Sequence, residues 1–446
     1  MSWLFVFMLT LTLMPIIRSS VLPKSDFFKA PYVTSGTEGE SWGYVTVRPK
    51  AHMFWWLYQT TNAVTYKQAP LILWLQGGPG GSSTGFGNFE EIGPLDVNLN
   101  PRNTTWLSLA SLLFIDNPVG TGYSYVESDD AYTTDVQMIA ADLLTVFSAF
   151  LNQNKDFQSV PFYIFSESYG GKMTAAFSEV LWNAVKAKSL VCNFQGLAMG
   201  DSWISPLDST NSWGPFLYVN SLVDRSQLGK VQESAQMAAK LAAEGKWKDA
   251  TAQWLVTEDV VEEVTSGVNF YNIQQWSGSQ MSEANARLTW LDRAIHRHVK
   301  IMQGDDLDQL MNGPIREKLK IIPKNVTWGG QSDTVFQKQI VDFMKPVTDT
   351  VDNLITNTSL SVVVYSGQLD LIVDNVGTEA WVYRLNITDE FRKAEKVPIK
   401  IRDIPVAFVK AFKNFKYYWI LAAGHMVPSD NGPAALAMVK QIVDMA

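Results

Sequence analysis

Residues 165–172 read F-S-E-S-Y-G-G-K, directly after the apolar run V-P-F-Y-I of residues 160–164. A serine set among small residues, where an apolar run gives way to a helical pattern, resembles the strand–turn–helix signature G-x-S-x-G, with Ser166 in place of the first glycine. The helical half is readable from spacing: Met173, Ala176, Phe177, Val180, Leu181 and Ala184 fall at the i, i+3, i+4, i+7 positions of one buried face. A tight turn between strand and helix needs small side chains two positions either side of the serine. Gly170 meets that need on the far side and Ser166 on the near side. Ser168 is therefore a candidate nucleophile, although S-x-S-x-G alone describes a structural serine at a strand end equally well.

The same texture extends in both directions. L-I-L-W-L (71–75) leads into G-G-P-G-G, S-L-L-F-I (111–115) into D-N-P-V-G-T-G, and F-Q-G-L-A-M-G follows the helix after Ser168. S-V-V-V-Y (361–365) and Y-Y-W-I-L (417–421) repeat it near the C-terminus. Apolar strands separated by helices predict βαβ units in a mainly parallel sheet covered on both faces. Residues 205–310 differ, being rich in Ala, Glu, Lys and Gln, and predict helices. The expected organisation is a signal peptide (1–20), a first core part (21–204), a helical cap insertion (205–310) and a second core part (311–446).

Apolar residues make up 46% of the 446-residue chain and aromatics 12%, enough for a large core. The net charge of -8 and the lack of a polybasic run speak against nucleic-acid and anionic-membrane partners. About fifteen apolar residues open the chain and are followed by Arg18, Ser19 and Ser20, a pattern that suits a signal peptide better than a span. No later segment reads as a membrane span, so no membrane anchor is expected. Sequons at Asn103, Asn325, Asn357 and Asn386 fit a glycosylated chain of the secretory route. Cys192 is the single cysteine, which excludes an internal disulfide and cysteine-built metal sites; a buried, inert thiol is expected there.

A serine nucleophile needs a base, and the chain has four histidines. His296 and His298 lie in charged R-A-I-H-R-H-V-K, read as a solvated helical face, and His52 reads as a satisfied strand histidine. His425, in A-A-G-H-M-V-P just beyond an apolar run, stands where a base at a strand's C-terminal end is expected. Asp370, in S-V-V-V-Y-S-G-Q-L-D, supplies a carboxylate between serine and histidine in chain order, which is the order of the α/β-hydrolase fold. Asp374 is the alternative acid, with helix capping as the competing role for either. L-I-L-W-L-Q-G-G-P-G-G-S-S places a glycine-rich loop upstream, and the N–H groups of Gly78 and Tyr169 are the natural oxyanion-binding pair. The loop is no phosphate cradle: G-K-[S/T] is missing and Pro79 has no N–H to donate.

W-L-Q-G-G-P-G-G-S-S, N-P-V-G-T-G-Y-S-Y, S-E-S-Y-G-G, S-G-Q-L-D and G-H-M-V-P together resemble the serine carboxypeptidases in order and spacing, over nearly the whole mature chain. The resemblance implies an α/β-hydrolase fold with a helical cap, and Ser168, Asp370 and His425 as catalytic triad. It also implies that Gln76, the Gly77 N–H and Glu167, with Glu91 in support, hold the terminal carboxylate of a peptide. Glu167 beside such a carboxylate must carry a proton, because two close like charges cannot both ionise. The expected activity is release of C-terminal residues from peptides or proteins through an acyl-enzyme at acidic pH, in a secreted or lysosomal protein, with no metal or cofactor. An acyltransferase using the same triad, or a weakly active member that works by association, are the alternatives. Three positions depart from the family pattern: Gln76 where Asn is usual, Gly81 where Cys is usual, and G-Q-x-D in place of G-D-x-D around Asp370.

Overall fold

The computed structural model describes residues 32–37, 39–60, 65–276 and 289–443; the expected signal peptide lies outside them. In chain order the strands are Tyr32–Thr37 (β1), Glu40–Arg48 (β2), Ala51–Tyr58 (β3), Leu71–Leu75 (β4), Ser111–Ile115 (β5) and Tyr125–Val126 (β6). Pro161–Glu167 (β7), Asn193–Gly200 (β8), Ser361–Gly367 (β9), Lys396–Ile401 (β10), Ile404–Phe412 (β11) and Phe415–Ile420 (β12) follow. They join in one sheet of order β1-β2-β3-β5-β4-β7-β8-β9-β12-β11-β10, with β6 on β3. The six central strands, from β5 to β12, run parallel, and antiparallel strands close both flanks.

The central strands are continuous apolar runs because both of their faces are covered. Along β4, Leu71, Leu73 and Leu75 enter one core while Ile72 and Trp74 enter the other. Val362 and Val364 of β9 face opposite to Val363 and Tyr365 in the same way. This is the two-residue alternation of a pleated strand expressed as two apolar layers.

The helices that matter for the site are Val136–Gln153 (α1), Tyr169–Lys186 (α2), Pro206–Val219 (α3), Arg225–Ala243 (α4), Trp247–Thr265 (α5) and Trp290–His298 (α6). Helix α2 is buried more widely than one stripe: Tyr169 through Ser178 are all buried, because the helix packs on β7, β8 and α1 together. Val180 and Ala184, expected on the buried face, are only half-buried. Helices α4 and α5 pair along their lengths, and a capping box of Asp224 and Gln227 starts α4. Trp254 of α5 ties this block to the rest of the core, touching Trp203, Trp213 of α3 and Phe343.

Helix α1 corrects the expectation that no later segment is long and apolar enough to cross a membrane. It has 18 residues and a mean hydropathy of 1.2. Its apolar character belongs to the core, where Val136, Ile139, Leu143, Val146, Phe147 and Phe150 are buried.

Candidate active site

Strand β7 ends at Glu167 and helix α2 begins at Tyr169, so the turn between them is the single residue Ser168. Its backbone, at φ 60° and ψ -130°, lies in a region that non-glycine residues rarely occupy. The surroundings hold it there: Ser168 N–H donates to Gly200 O at 3.0 Å, and Ser168 O accepts from Gly171 N and Trp203 N. A Cβ on Gly170 would come within 2.3 Å of Leu75 O, and one on Gly171 within 2.0 Å of Ser202 Oγ. These contacts are the physical reason for the small residues. Ser166, buried between β4 and β8, fits where the signature has glycine.

His425 Nδ1 and Asp370 Oδ2 are 2.9 Å apart, and both side chains are buried. The His425 N–H donates to Tyr271 O at 2.7 Å, and the Tyr271 ring packs edge-on against the imidazole at 5.0 Å. His425 Nε2 is buried with no hydrogen-bond partner among the described residues, and His425 lines the same pocket as Ser168. Serine–imidazole bonds of this kind tighten only when substrate is held. Asp374 is not the acid facing His425. Its Oδ1 accepts from Val376 N and Gly377 N as the cap of the helix Asn375–Val382, and its Oδ2 accepts from Ser212 Oγ at 2.6 Å.

The glycine loop after β4 leans on the serine. A Cβ on Gly77 would lie 2.4 Å from Ser168 Cβ, so only glycine allows this approach. Gly78 and Tyr169 line the same pocket as Ser168 and His425. Tyr169 N–H, at the first position of α2, has no intrahelical acceptor and is free to meet an oxyanion. At Gly81 the space of a side chain is taken by Met302, whose Sδ would be 2.6 Å from an added Cβ.

A cluster of acids lies beside and beneath the serine. Glu167 lines the pocket, while Gln76 and Glu91 are buried behind it. Gln76 Nε2 donates to Glu167 Oε1 at 2.8 Å, and Trp74 Nε1 donates to Gln76 Oε1 at 2.7 Å, which fixes the amide. Glu91 lies within hydrogen-bonding reach of Glu167. Glu167 Oε2 and both Glu91 oxygens meet no donor among the described residues, so the two carboxyls need a proton between them. Burial, and then the charge of Glu91, push the Glu167 carboxyl well above its ordinary range. Burial raises Glu91 to about 7.

Two residues reach the site unannounced by the sequence. His298 is not on a solvated face: it is buried, lines the pocket, and bridges Tyr271 Oη at 2.8 Å and Glu258 at 3.1 Å. The charges around it are spent within the helix interface, where Arg297 pairs with Asp259 and Glu262 of α5 at 2.7 Å each. His296 is exposed, as expected, and His52 is held by Thr46 and Glu127. The second residue is Asp201, directly after β8, whose carboxyl reaches that of Asp370. Its place just beyond an apolar strand run is the same signal that singled out Asp370. Cys192 is buried, and burial raises its thiol pKa far above the ordinary value. Asn103, Asn325, Asn357 and Asn386 are all exposed.

Residues 32–445 match the family model described as serine carboxypeptidase. The retinoid-inducible serine carboxypeptidase of Mus musculus is 52% identical over 413 residues, covering 90% of this chain and 91% of its own length. That of Homo sapiens is 51% identical with the same coverage. Serine carboxypeptidase-like 51 of Arabidopsis thaliana is 41% identical, covering 90% of this chain and 92% of its own. Among solved structures, the Saccharomyces cerevisiae prohormone-processing carboxypeptidase Kex1Δp superposes with a TM-score of 0.76 at 19% identity, covering 91% of each chain, and so shares the fold. With an α/β-hydrolase sheet, a serine at its strand–helix turn and a family match along almost all of its length, this chain belongs to the serine carboxypeptidases.

Proposed function

We propose that the protein removes C-terminal residues from peptides or proteins, with Ser168 as nucleophile, His425 as base and Asp370 as the acid that orients it. His425 Nε2 takes the Ser168 hydroxyl proton as Oγ attacks the scissile carbonyl. The N–H groups of Gly78 and Tyr169 receive the developing oxyanion. His425 then gives that proton to the departing amine, and water releases the acyl group by the same steps in reverse. Glu167, protonated, donates to the carboxylate of the leaving residue, alongside Gln76 and the Gly77 N–H, while Glu91 keeps the proton on the pair.

The observation that carries this reading is a buried pair of acids, Glu167 and Glu91, placed next to the serine and needing a proton. The sign of the pH dependence follows. Glu167 has a raised pKa, so its donor is present in acid and is lost as pH rises through that pKa. Binding of a free C-terminus therefore weakens upward in pH, chiefly through KM. At pH 5 a peptide with a free C-terminus should be cleaved about 10- to 100-fold better in kcat/KM than its C-terminal amide, the scale of a hydrogen bond to a charged group. Equal cleavage of the two, or cleavage of neither, would overturn the assignment.

The exposed sequons, the apolar N-terminal segment and the acid-requiring site support a secreted or lysosomal location. We take residues 205–310 as the cap; in support, Trp254, Tyr271 and His298 from its described part line the pocket together with Ser168 and His425.

A further inference from the structure

Asp201 stands one position beyond the end of β8, with its N–H donating to Tyr365 O at 2.8 Å and its backbone at φ 41°. Its side chain crosses to the end of β9. There Gly367 N–H donates to Asp201 Oδ1 at 2.8 Å. Three residues on, the loop that follows carries Asp370, whose Oδ2 meets His425 Nδ1. One oxygen on each carboxyl is then accounted for. The two left over, Asp201 Oδ2 and Asp370 Oδ1, are buried and meet no donor among the described residues. The carboxyls are nonetheless within hydrogen-bonding reach of each other.

Two ionised carboxylates offer only acceptors and cannot satisfy each other, so this contact requires a proton. Asp370 uses Oδ2 to accept the imidazole N–H. Asp201 faces a backbone N–H, Asp370 and Asp430, with Glu167 and the phenols of Tyr365 and Tyr417 close by. The proton therefore belongs on Asp201. We propose that Asp201 is a positioning residue of the triad: its protonated carboxyl donates from Oδ2 to Asp370 Oδ1 and so holds Asp370 Oδ2 beneath His425 Nδ1–H. Burial, and then the charge of Asp370, hold the Asp201 carboxyl well above its ordinary range, in keeping with this role. Loss of the proton to solvent at higher pH would remove the donor and set a second negative charge against Asp370.

This inference rests on Ser168, His425 and Asp370 acting as the triad, but not on the substrate being a peptide C-terminus. The test is therefore the rate at which a fluorophosphonate labels Ser168, followed against pH, with peptide hydrolysis measured in parallel. Asparagine reproduces the geometry: its Oδ1 accepts from Gly367 and its Nδ2 donates to Asp370. Asp201→Ala should slow labelling and kcat about 10- to 100-fold with KM within about threefold, and Asp201→Asn should restore most of that loss. The alkaline decline in labelling that accompanies ionisation of Asp201 should vanish in the Asn variant, which has no proton to lose. A native-like rate for Asp201→Ala would overturn the proposal. So would a native-like melting temperature in Asp201→Asn with a rate as low as that of the Ala variant, or with an unchanged pH profile. If Ala does not fold, the Asn profile alone decides. A native protein that never labels overturns the triad reading, and this role of Asp201 with it.

Discussion

Ser168→Ala is expected to lower kcat for a peptide with a free C-terminus by a factor on the order of 10⁶, the scale of removing a triad nucleophile. The oxygen is the only atom lost. Alanine keeps the Cβ that packs on Gly77 and accepts the same backbone strain as serine at φ 60°. The melting temperature should therefore stay within a few degrees of native, and KM within a few-fold, since Glu167, Gln76 and the pocket walls are untouched. Steady-state kinetics at pH 5 with thermal unfolding on the same preparation reads all three. A loss of less than about tenfold would mean that catalysis does not pass through this oxygen.

Asp370→Asn should cost on the order of 10⁴ in kcat, the scale found when a triad carboxylate becomes an amide elsewhere. The change is nearly isosteric, so the reason is a hydrogen atom. Asp370 Oδ2 accepts from His425 Nδ1–H, which leaves Nε2 with the lone pair that must take the serine proton. An amide N–H turned toward Nδ1 would select the opposite tautomer, with Nε2 already protonated. Asp374→Asn gives the contrast, because its Oδ1 caps a helix through Val376 and Gly377 and an Asn cap is nearly as good. Its kcat should remain within a few-fold of native. Matching losses in the two variants would remove the distinction between orienting acid and cap.

The central sheet was legible because strands buried on both faces leave unbroken apolar runs. L-I-L-W-L became β4 to the residue, and S-L-L-F-I became β5. That Ser168, His425 and Asp370 come to one edge of the sheet was legible for a related reason: each lies just beyond such a run, where loops gather at one edge of a parallel sheet. His298 was misread because its neighbours are charged. A charged helix reads as solvated unless the partner helix supplies counter-charges, and α5 does so with Asp259, Glu258 and Glu262. Glu91 was reached only through family resemblance. Of the adjacent pair Glu90 and Glu91, only Glu91 is fully buried, and no local pattern says which one turns inward. Asp201 escaped notice because its partner lies on another strand, and strand order is not written in the spacing.

Buried carboxyls also make the folded chain a stronger proton acceptor than the unfolded one. Glu91 and Asp374 shift from ordinary values of 4.5 and 3.8 to about 7, while Glu167 and Asp201 shift in the same direction. Between roughly pH 4.5 and 7 the native state holds protons that the unfolded chain releases, so stability falls as pH rises. Each such group contributes at most about 1.4 kcal/mol per pH unit in that window. The melting temperature should consequently be higher at pH 5 than at pH 7, and thermal unfolding across that range would show it; a flat or opposite trend would contradict the protonated cluster. Acidification would then act on the molecule as a bound ligand does, tightening the native state with protons from the same set that the proposed mechanism needs for substrate binding.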